Sequence, residues 1–148
     1  MSFIEVKENK KRFLDLLLLG DEQEDMIDRY LDRGRMFILE AGGSVVCQCV
    51  VTDEGEGILE IKNIATAPKQ QRRGYGRAMV EMLKDKFSGK FRIMQVGTGD
   101  SPLTIPFYES CGFVRSHIVP NFFVENYDHP IFEGGTQLID MVYLQLSL

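Results

Sequence analysis

The chain is poor in the residues that build metal sites and disulfide frameworks. It has three cysteines and two histidines among 148 residues. Cys47, Cys49 and Cys111 have neither zinc-ligand spacing nor the even number a disulfide set needs. Cys47 and Cys49 fall on one face of a strand, which predicts burial as small apolar side chains and a reducing, cytoplasmic compartment. No ligand spacing links His117 to His129, so no metal is expected. Long apolar runs are missing too. Leu16 to Leu19 is far too short to span a bilayer, and the charged first dozen residues do not read as a signal peptide, so no membrane partner is expected. Repeats, linkers and low-complexity segments are absent. The length then predicts one domain over residues 1–148, large enough for a sizeable core.

The net charge of −5 argues against nucleic acid as a partner. Its distribution is more informative. Residues 68–92 carry eight Lys/Arg and only Glu81 and Asp85 as acids, a net +6, which leaves −11 on the remainder. A cationic segment in an acidic protein suits a phosphorylated cofactor beside an acidic acceptor cavity, or else a solvated basic helix face.

Hydrophobic periodicity and turn residues order the elements. Phe3–Val6 is a first strand and residues 8–19 a leucine-rich helix with Gly20 at its C′ position. Asp21 and Glu24 form a capping box for a second helix, with Met26, Ile27, Tyr30 and Leu31 inward. A hairpin pairs 36–40 with 45–52, and 58–66 is the next strand, stopped by Pro68. Helix 75–87 turns Met79, Val80, Met82, Leu83 and Phe87 inward, and 91–96 is a buried strand. A short helix ending before Gly112 and strands 113–119 and 138–146, joined by a long loop, complete the chain. The expected fold is α/β: a mixed, mostly antiparallel sheet flanked by helices, with one parallel strand–helix–strand crossover at 58–96.

The crossover holds the most informative run, Gln70-Gln-Arg-Arg-Gly-Tyr-Gly-Arg-Ala78. Gly74 and Gly76 permit a sharp turn and close ligand approach, and the following helix start offers free N–H groups to a pyrophosphate. The run lacks the Gly-Lys-Ser/Thr of the nucleotide phosphate loop, and the third glycine of the dinucleotide fingerprint would fall on Met79. It resembles instead the acetyl-CoA loop of the GNAT acyltransferase superfamily, Gln/Arg-x-x-Gly-x-Gly/Ala, here Gln71 to Gly76. Phe107-Tyr-Glu-Ser-Cys-Gly-Phe113 is similar to that family's Tyr-x-x-x-Gly-Phe signature, and the two motifs occur in the family's order across essentially the whole chain.

The resemblance implies a central parallel strand pair that splays past a bulge, with acyl-pantetheine in the gap. Ile64, Ala65 and Thr66 would present backbone groups to that arm. Gln71, Arg72, Arg73, Gly74, Tyr75, Gly76, Arg77 and Ala78 would hold the pyrophosphate. Ser101 stands where the family often has Asn; it would cap the tyrosine helix, with Pro102 at N1, and donate one hydrogen bond to the cofactor. Pro106 requires that this helix start late, near Leu103 or Thr104, or bend.

Acetyl-CoA is therefore the expected cosubstrate and a primary amine the expected acceptor, by direct transfer without a covalent cysteine. Tyr108 is the candidate acid and cofactor contact, donating to the leaving thiolate. Glu60, fourteen residues before Gly74, is the candidate base; its alternatives are a surface pair with Lys62 and an ordered water as base. The loop after residue 120 mixes aromatic residues with acids. From it Glu125, Tyr127 and Asp128 are candidate contacts to a small cationic amine, against a loop with its own small core. A protein or peptide acceptor and a non-catalytic acyl-CoA-binding module are the alternatives, and the resemblance leaves a homodimer open.

Overall fold

The computed structural model describes residues 1–148. Strand β1 (Ser2–Val6) leads through a 3-10 turn at Lys10–Phe13 into helix α1 (Leu14–Gly20) and helix α2 (Glu24–Asp28). Strands β2 (Arg35–Ala41) and β3 (Ser44–Asp53) form a hairpin closed by Gly42 and Gly43, both at positive φ as a two-residue primed turn needs. Strand β4 (Ile58–Thr66), helix α3 (Tyr75–Phe87) and strand β5 (Ile93–Gly99) make the crossover. Helix α4 (Ile105–Ser110), strand β6 (Val114–Val119), helix α5 (Phe122–Asn126), the small hairpin β7 (Phe132–Glu133) and β8 (Thr136–Gln137), and strand β9 (Met141–Ser147) follow.

Seven strands lie in the order β1-β2-β3-β4-β5-β9-β6, and β4–β5 is the parallel pair. Period-two alternation fills both faces. Phe37 and Leu39 of β2, with Cys47, Cys49 and Val51 of β3, pack under Met79, Val80, Leu83 and Phe87 of α3. Met36 and Ile38 point the other way, against Leu17, Ile27, Tyr30 and Leu31. Both hairpin cysteines are fully buried, and that burial pushes the Cys47 thiol up to about 11, which makes it inert.

Three local expectations are corrected, and the alternative left open at Pro106 is resolved. The first helix is a 3-10 turn followed by α1, and Gly20 is its last helical residue rather than its C′. A glycine is needed there for a different reason: a Cβ would lie 2.0 Å from Asn63 Oδ1. Asp21 and Glu24 form no capping box. Gln23 is the cap residue, and the Asp21 carboxylate instead accepts hydrogen bonds from Tyr30 (3.1 Å) and Tyr127 (2.7 Å). Ser101 does not cap α4; its hydroxyl accepts from the Leu103 N–H in a preceding turn, and Thr104 is the cap. Helix α4 starts late, and Pro106 sits in its first turn, where no intrahelical N–H bond is required and no kink follows.

The central strand pair parts as expected. The β4–β5 ladder runs from Ile58↔Ile93 to Ile61↔Val96 and stops. At the same level the β3–β4 register slips: Val51 faces Ile61 and Val50 faces Asn63, which leaves Lys62 as the extra residue of a bulge. Beyond it β4 continues against β3 to Thr66, while β5 continues against β9 to Gly99. The gap between them leads to the functional site.

Candidate active site

The parted strands open into a cavity of about 350 Å³. Ile61 to Ile64 of β4 and Val96 to Gly99 of β5 form its walls, and Tyr108 of α4 lines it. Phe122, Phe123 and Tyr127 line it from the segment after β6, and Asp21, Tyr30 and Arg29 from the α1–α2 region. Phe123, Ile131 and Leu138 form a small core of their own, so this segment is both a self-packed loop and a cavity wall.

Tyr108 is 7 % exposed, held edge-on between Phe107 and Phe113. Burial, followed by the nearby Cys49 and Cys111 thiols and then the Glu133 carboxylate, raises its pKa further above the ordinary tyrosine range, so the hydroxyl stays protonated at physiological pH. Its placement follows from the start of α4 after Thr104, whose hydroxyl is tied to that of Thr98 at 2.8 Å, and from the turn at Gly112, whose φ of +101° suits glycine.

Glu60 is 4 % exposed, on β4 just before the bulge. Its carboxylate accepts hydrogen bonds from Gln95 (2.6 Å) and Tyr143 (3.4 Å) and pairs with Lys62 at 2.8 Å. The expected pairing with Lys62 is thus present, but inside the cavity wall rather than on the surface.

A second polar chain crosses the cavity's other side. Asn63, almost fully buried, donates to the Leu17 carbonyl (2.9 Å) and the Tyr30 hydroxyl (3.1 Å) and accepts from Gln48 (2.6 Å). Tyr30 and Tyr127 both donate to Asp21, whose pKa is raised by burial in spite of these bonds. This bridge ties α1 and α2 to the segment after β6 across about a hundred residues of sequence.

The glycine loop follows β4. Gly74 lies at φ +84° as the cap residue of α3, and Arg72 is in the left-handed region at φ +65°. The Ala78 N–H already donates to the Gly74 carbonyl at 2.9 Å, so its backbone is used by the helix. The preceding N–H groups of Tyr75, Gly76 and Arg77 are the free donors of the first turn. A Cβ on Gly76 would lie 3.2 Å from the Phe107 ring, so this glycine also lets α3 approach α4. The Arg77 guanidinium donates to the Ser110 carbonyl (3.1 Å) and hydroxyl (2.8 Å), a contact between helices; its backbone N–H, not its side chain, belongs to the free turn. Gln71 donates to the Thr66 carbonyl at 3.3 Å, which fixes the loop to the end of β4. Arg73 and Tyr75 flank Gly74, and Ala65 lies between the Ile64 and Thr66 positions at that end of the strand.

Of the predicted residues, Glu60, Ile64, Tyr108 and Tyr127 line one cavity. Glu125 and Asp128 do not line it; both are exposed, and Asp128 contacts His129. Ser101 is buried in the turn before α4. Asp21 and Glu133 line the cavity; in the sequence Asp21 reads as a helix cap and Glu133 as one of the loop's acids, and neither is chosen as a site residue. Asp21 gives no local signal, since its partners are remote. Glu133 does: it directly precedes Gly134-Gly135, which marks a tight hairpin. No helix is long and apolar enough to cross a membrane.

Comparison with known proteins matches this geometry. The acetyltransferase (GNAT) domain model matches residues 32–115, a span from the α2 region through the bulge and glycine loop to the start of β6. That domain defines an acetyl-CoA-dependent acyltransferase. An uncharacterized N-acetyltransferase, YvbK, of Bacillus subtilis (strain 168) is 37% identical over 145 residues, covering 96% of this chain and 93% of its own. A GNAT family acetyltransferase from Elizabethkingia anophelis, solved with acetyl-CoA bound, superposes with a TM-score of 0.93 at 31% identity, over 99% of this chain and 97% of that one. An acetyltransferase of Bacillus subtilis in complex with CoA gives 0.89 at 33% identity, over 99% and 97%. The chain belongs to the GNAT acetyltransferase family, and acetyl-CoA is its cosubstrate.

Proposed function

We propose that the protein transfers the acetyl group of acetyl-CoA directly to a primary amine in a ternary complex, and that the acceptor is a small cationic amine. The observation that carries this reading is the cavity itself: carboxylates and aromatic rings enclose the space where the β4–β5 pair parts, with Tyr108 on one wall. Aromatic faces and carboxylates are the chemistry that receives an ammonium group.

The cofactor's arm would lie along Ile64, Ala65 and Thr66, and its pyrophosphate on the loop from Gln71 to Gly76 with the free N–H groups of Tyr75, Gly76 and Arg77. The β4 backbone N–H of Ile64 or Ala65 would donate to the oxyanion that develops on the thioester carbonyl. The amine must lose a proton before it attacks; Glu60, oriented by Gln95 and Tyr143, would take it. The carbon–sulfur bond then breaks, the sulfur leaves as thiolate, and the nitrogen's second proton passes to water. A thiol near about 8.5 is a stronger acid than a tyrosine near about 10, so full proton transfer from tyrosine is uphill by roughly 2 kcal/mol. The burial of Tyr108 widens that gap. Tyr108 therefore acts as a hydrogen-bond donor to the thiolate, and water completes its protonation.

Tyr108→Phe tests the assignment. We expect turnover to fall about 10²-fold, the usual cost of losing one preorganised donor to developing charge, while acetyl-CoA affinity is kept. Unchanged turnover would remove Tyr108 from the reaction.

A further inference from the structure

Three carboxylates lie in the cavity away from its exposed rim, and two of them have partners on both oxygens. Asp21 accepts from two tyrosine hydroxyls. Glu60 accepts from Gln95 and Tyr143 and pairs with Lys62. Glu133 is different: its Oε2 is shielded from solvent and has no hydrogen-bond partner. A carboxylate oxygen held this way costs free energy unless something pairs with it.

The hairpin that carries Glu133 is built to hold it there. Glu133 pairs with Thr136 and Phe132 with Gln137 across a two-residue turn at Gly134 (φ +56°) and Gly135 (φ +80°). Adjacent strand residues point to opposite sides. Here Phe132 is 58 % exposed while Glu133 lines the cavity. A hairpin that served packing alone would turn the phenylalanine inward. Glu133 is also near enough to Tyr108 for its charge to oppose ionisation of that hydroxyl. The same cavity is lined by the apolar side chains of Phe122, Phe123, Ile131, Leu138 and Met141. Of the cations that line the cavity, Lys62 is paired with Glu60 at 2.8 Å, Arg33 is exposed and paired with Glu54 at 2.9 Å, and Arg29 is exposed.

We infer that Glu133 is the residue that receives the acceptor's ammonium group, and that the acceptor is a primary amine carried on an apolar body. The inference rests on the amine-acceptor reading above and adds to it the binding residue and the substrate class. The ammonium supplies the missing partner of Oε2, and the aromatic and aliphatic walls cover the rest of the molecule. Glu133 sets affinity for the charged form of the amine, and Glu60 remains the proton acceptor. A carboxylate beside the bound ammonium favours its protonated form, so removing that charge makes the bound amine easier to deprotonate.

The test compares the wild type with Glu133→Gln, which keeps the shape and removes the charge. Phenethylamine is the cationic probe, and phenylacetic hydrazide, a nitrogen nucleophile neutral at pH 7, is its uncharged counterpart. Calorimetric binding of phenethylamine to the CoA-loaded protein is expected to weaken about 10- to 100-fold in the variant, the range for one charge-assisted hydrogen bond. KM for phenethylamine rises by the same factor, KM for the hydrazide and for acetyl-CoA stays within twofold, and the acid limb of kcat moves to lower pH. Equal phenethylamine binding by the two proteins, no binding by the wild type, or equal losses for amine and hydrazide would overturn the inference. Charge-dependent binding without acetyl transfer by the wild type would leave Glu133 as the ammonium site and defeat the amine-acetyltransferase reading alone.

Discussion

Substituting Gly20 by alanine separates two opposed physical effects. Gly20 is helical, and in a helix alanine is favoured over glycine by about 1 kcal/mol, so a reading based on propensity predicts stabilisation. The packing predicts the reverse. A Cβ would lie 2.0 Å from Asn63 Oδ1 and 2.8 Å from its Cγ, with the Ile64 carbonyl at 3.2 Å. Asn63 cannot swing aside freely, because its amide makes three buried hydrogen bonds, to Leu17, Tyr30 and Gln48. Displacing it forfeits these at roughly 1 kcal/mol each, about 3 kcal/mol together. Less the propensity gain, the net loss is about 2 kcal/mol, which for a chain of this size lowers Tm by about 4–8 °C. Differential scanning calorimetry of G20A measures it. The double variant with Asn63→Ala sharpens the test: once the obstructing amide is gone, alanine at position 20 is expected to cost almost nothing further. A Tm for G20A equal to or above the wild type, or strict additivity in the double variant, would refute the reasoning.

Other outcomes follow from the same structure. Gly74→Ala places a side chain at φ +84° in open space, so stability is expected to fall by only about 1 kcal/mol while KM for acetyl-CoA rises at least about tenfold; steady-state kinetics and thermal melts read the two effects separately. Glu60→Gln is expected to lower kcat by about 10²–10⁴-fold with acetyl-CoA affinity intact, and a loss below threefold would assign the proton to an ordered water instead. Burial raises the pKa values of Tyr30, Tyr108, Tyr127 and Tyr143 in the folded chain. The folded state then keeps their protons where the unfolded state loses them. Their contribution is full below about pH 10 and falls as pH rises through that value, by up to about 1.4 kcal/mol per pH unit for each tyrosine. Urea unfolding between pH 9 and 11.5, with tyrosinate absorbance followed in parallel, checks this; ionisation of these four tyrosines before unfolding would contradict it.

Legibility from sequence divided along physical lines. The bounds of β4 and α3 match the expected 58–66 and 75–87, because Pro68, Gly74 and Ser88-Gly89 punctuate that stretch locally. The parting of β4 from β5 was expected only through the family resemblance; the bulge at Lys62 is a register slip between strands, which period-two patterning does not encode. Asp21 and Glu24 have the spacing of a capping box, yet two tyrosines, one of them over a hundred residues away, claim the carboxylate. Gly20 reads locally as a helix stop, and only the fold reveals the amide it makes room for. In the segment after β6, composition identified acids and aromatics together, but not which acids face inward. Glu125 and Asp128 are exposed and Glu133 is enclosed, a choice made by the Gly134-Gly135 hairpin rather than by residue type.

Thiol release from acetyl-CoA, followed across alkylamines, arylalkylamines, polyamines, amino acids and short peptides, measures acetyl transfer to an amine at the cavity beside Tyr108. The expected result is release that saturates with a cationic primary amine, is matched by an equal amount of N-acetylated product, and falls about 10²-fold in Tyr108→Phe. Thiol release no faster than background hydrolysis with every amine, from protein shown to bind acetyl-CoA, would contradict it.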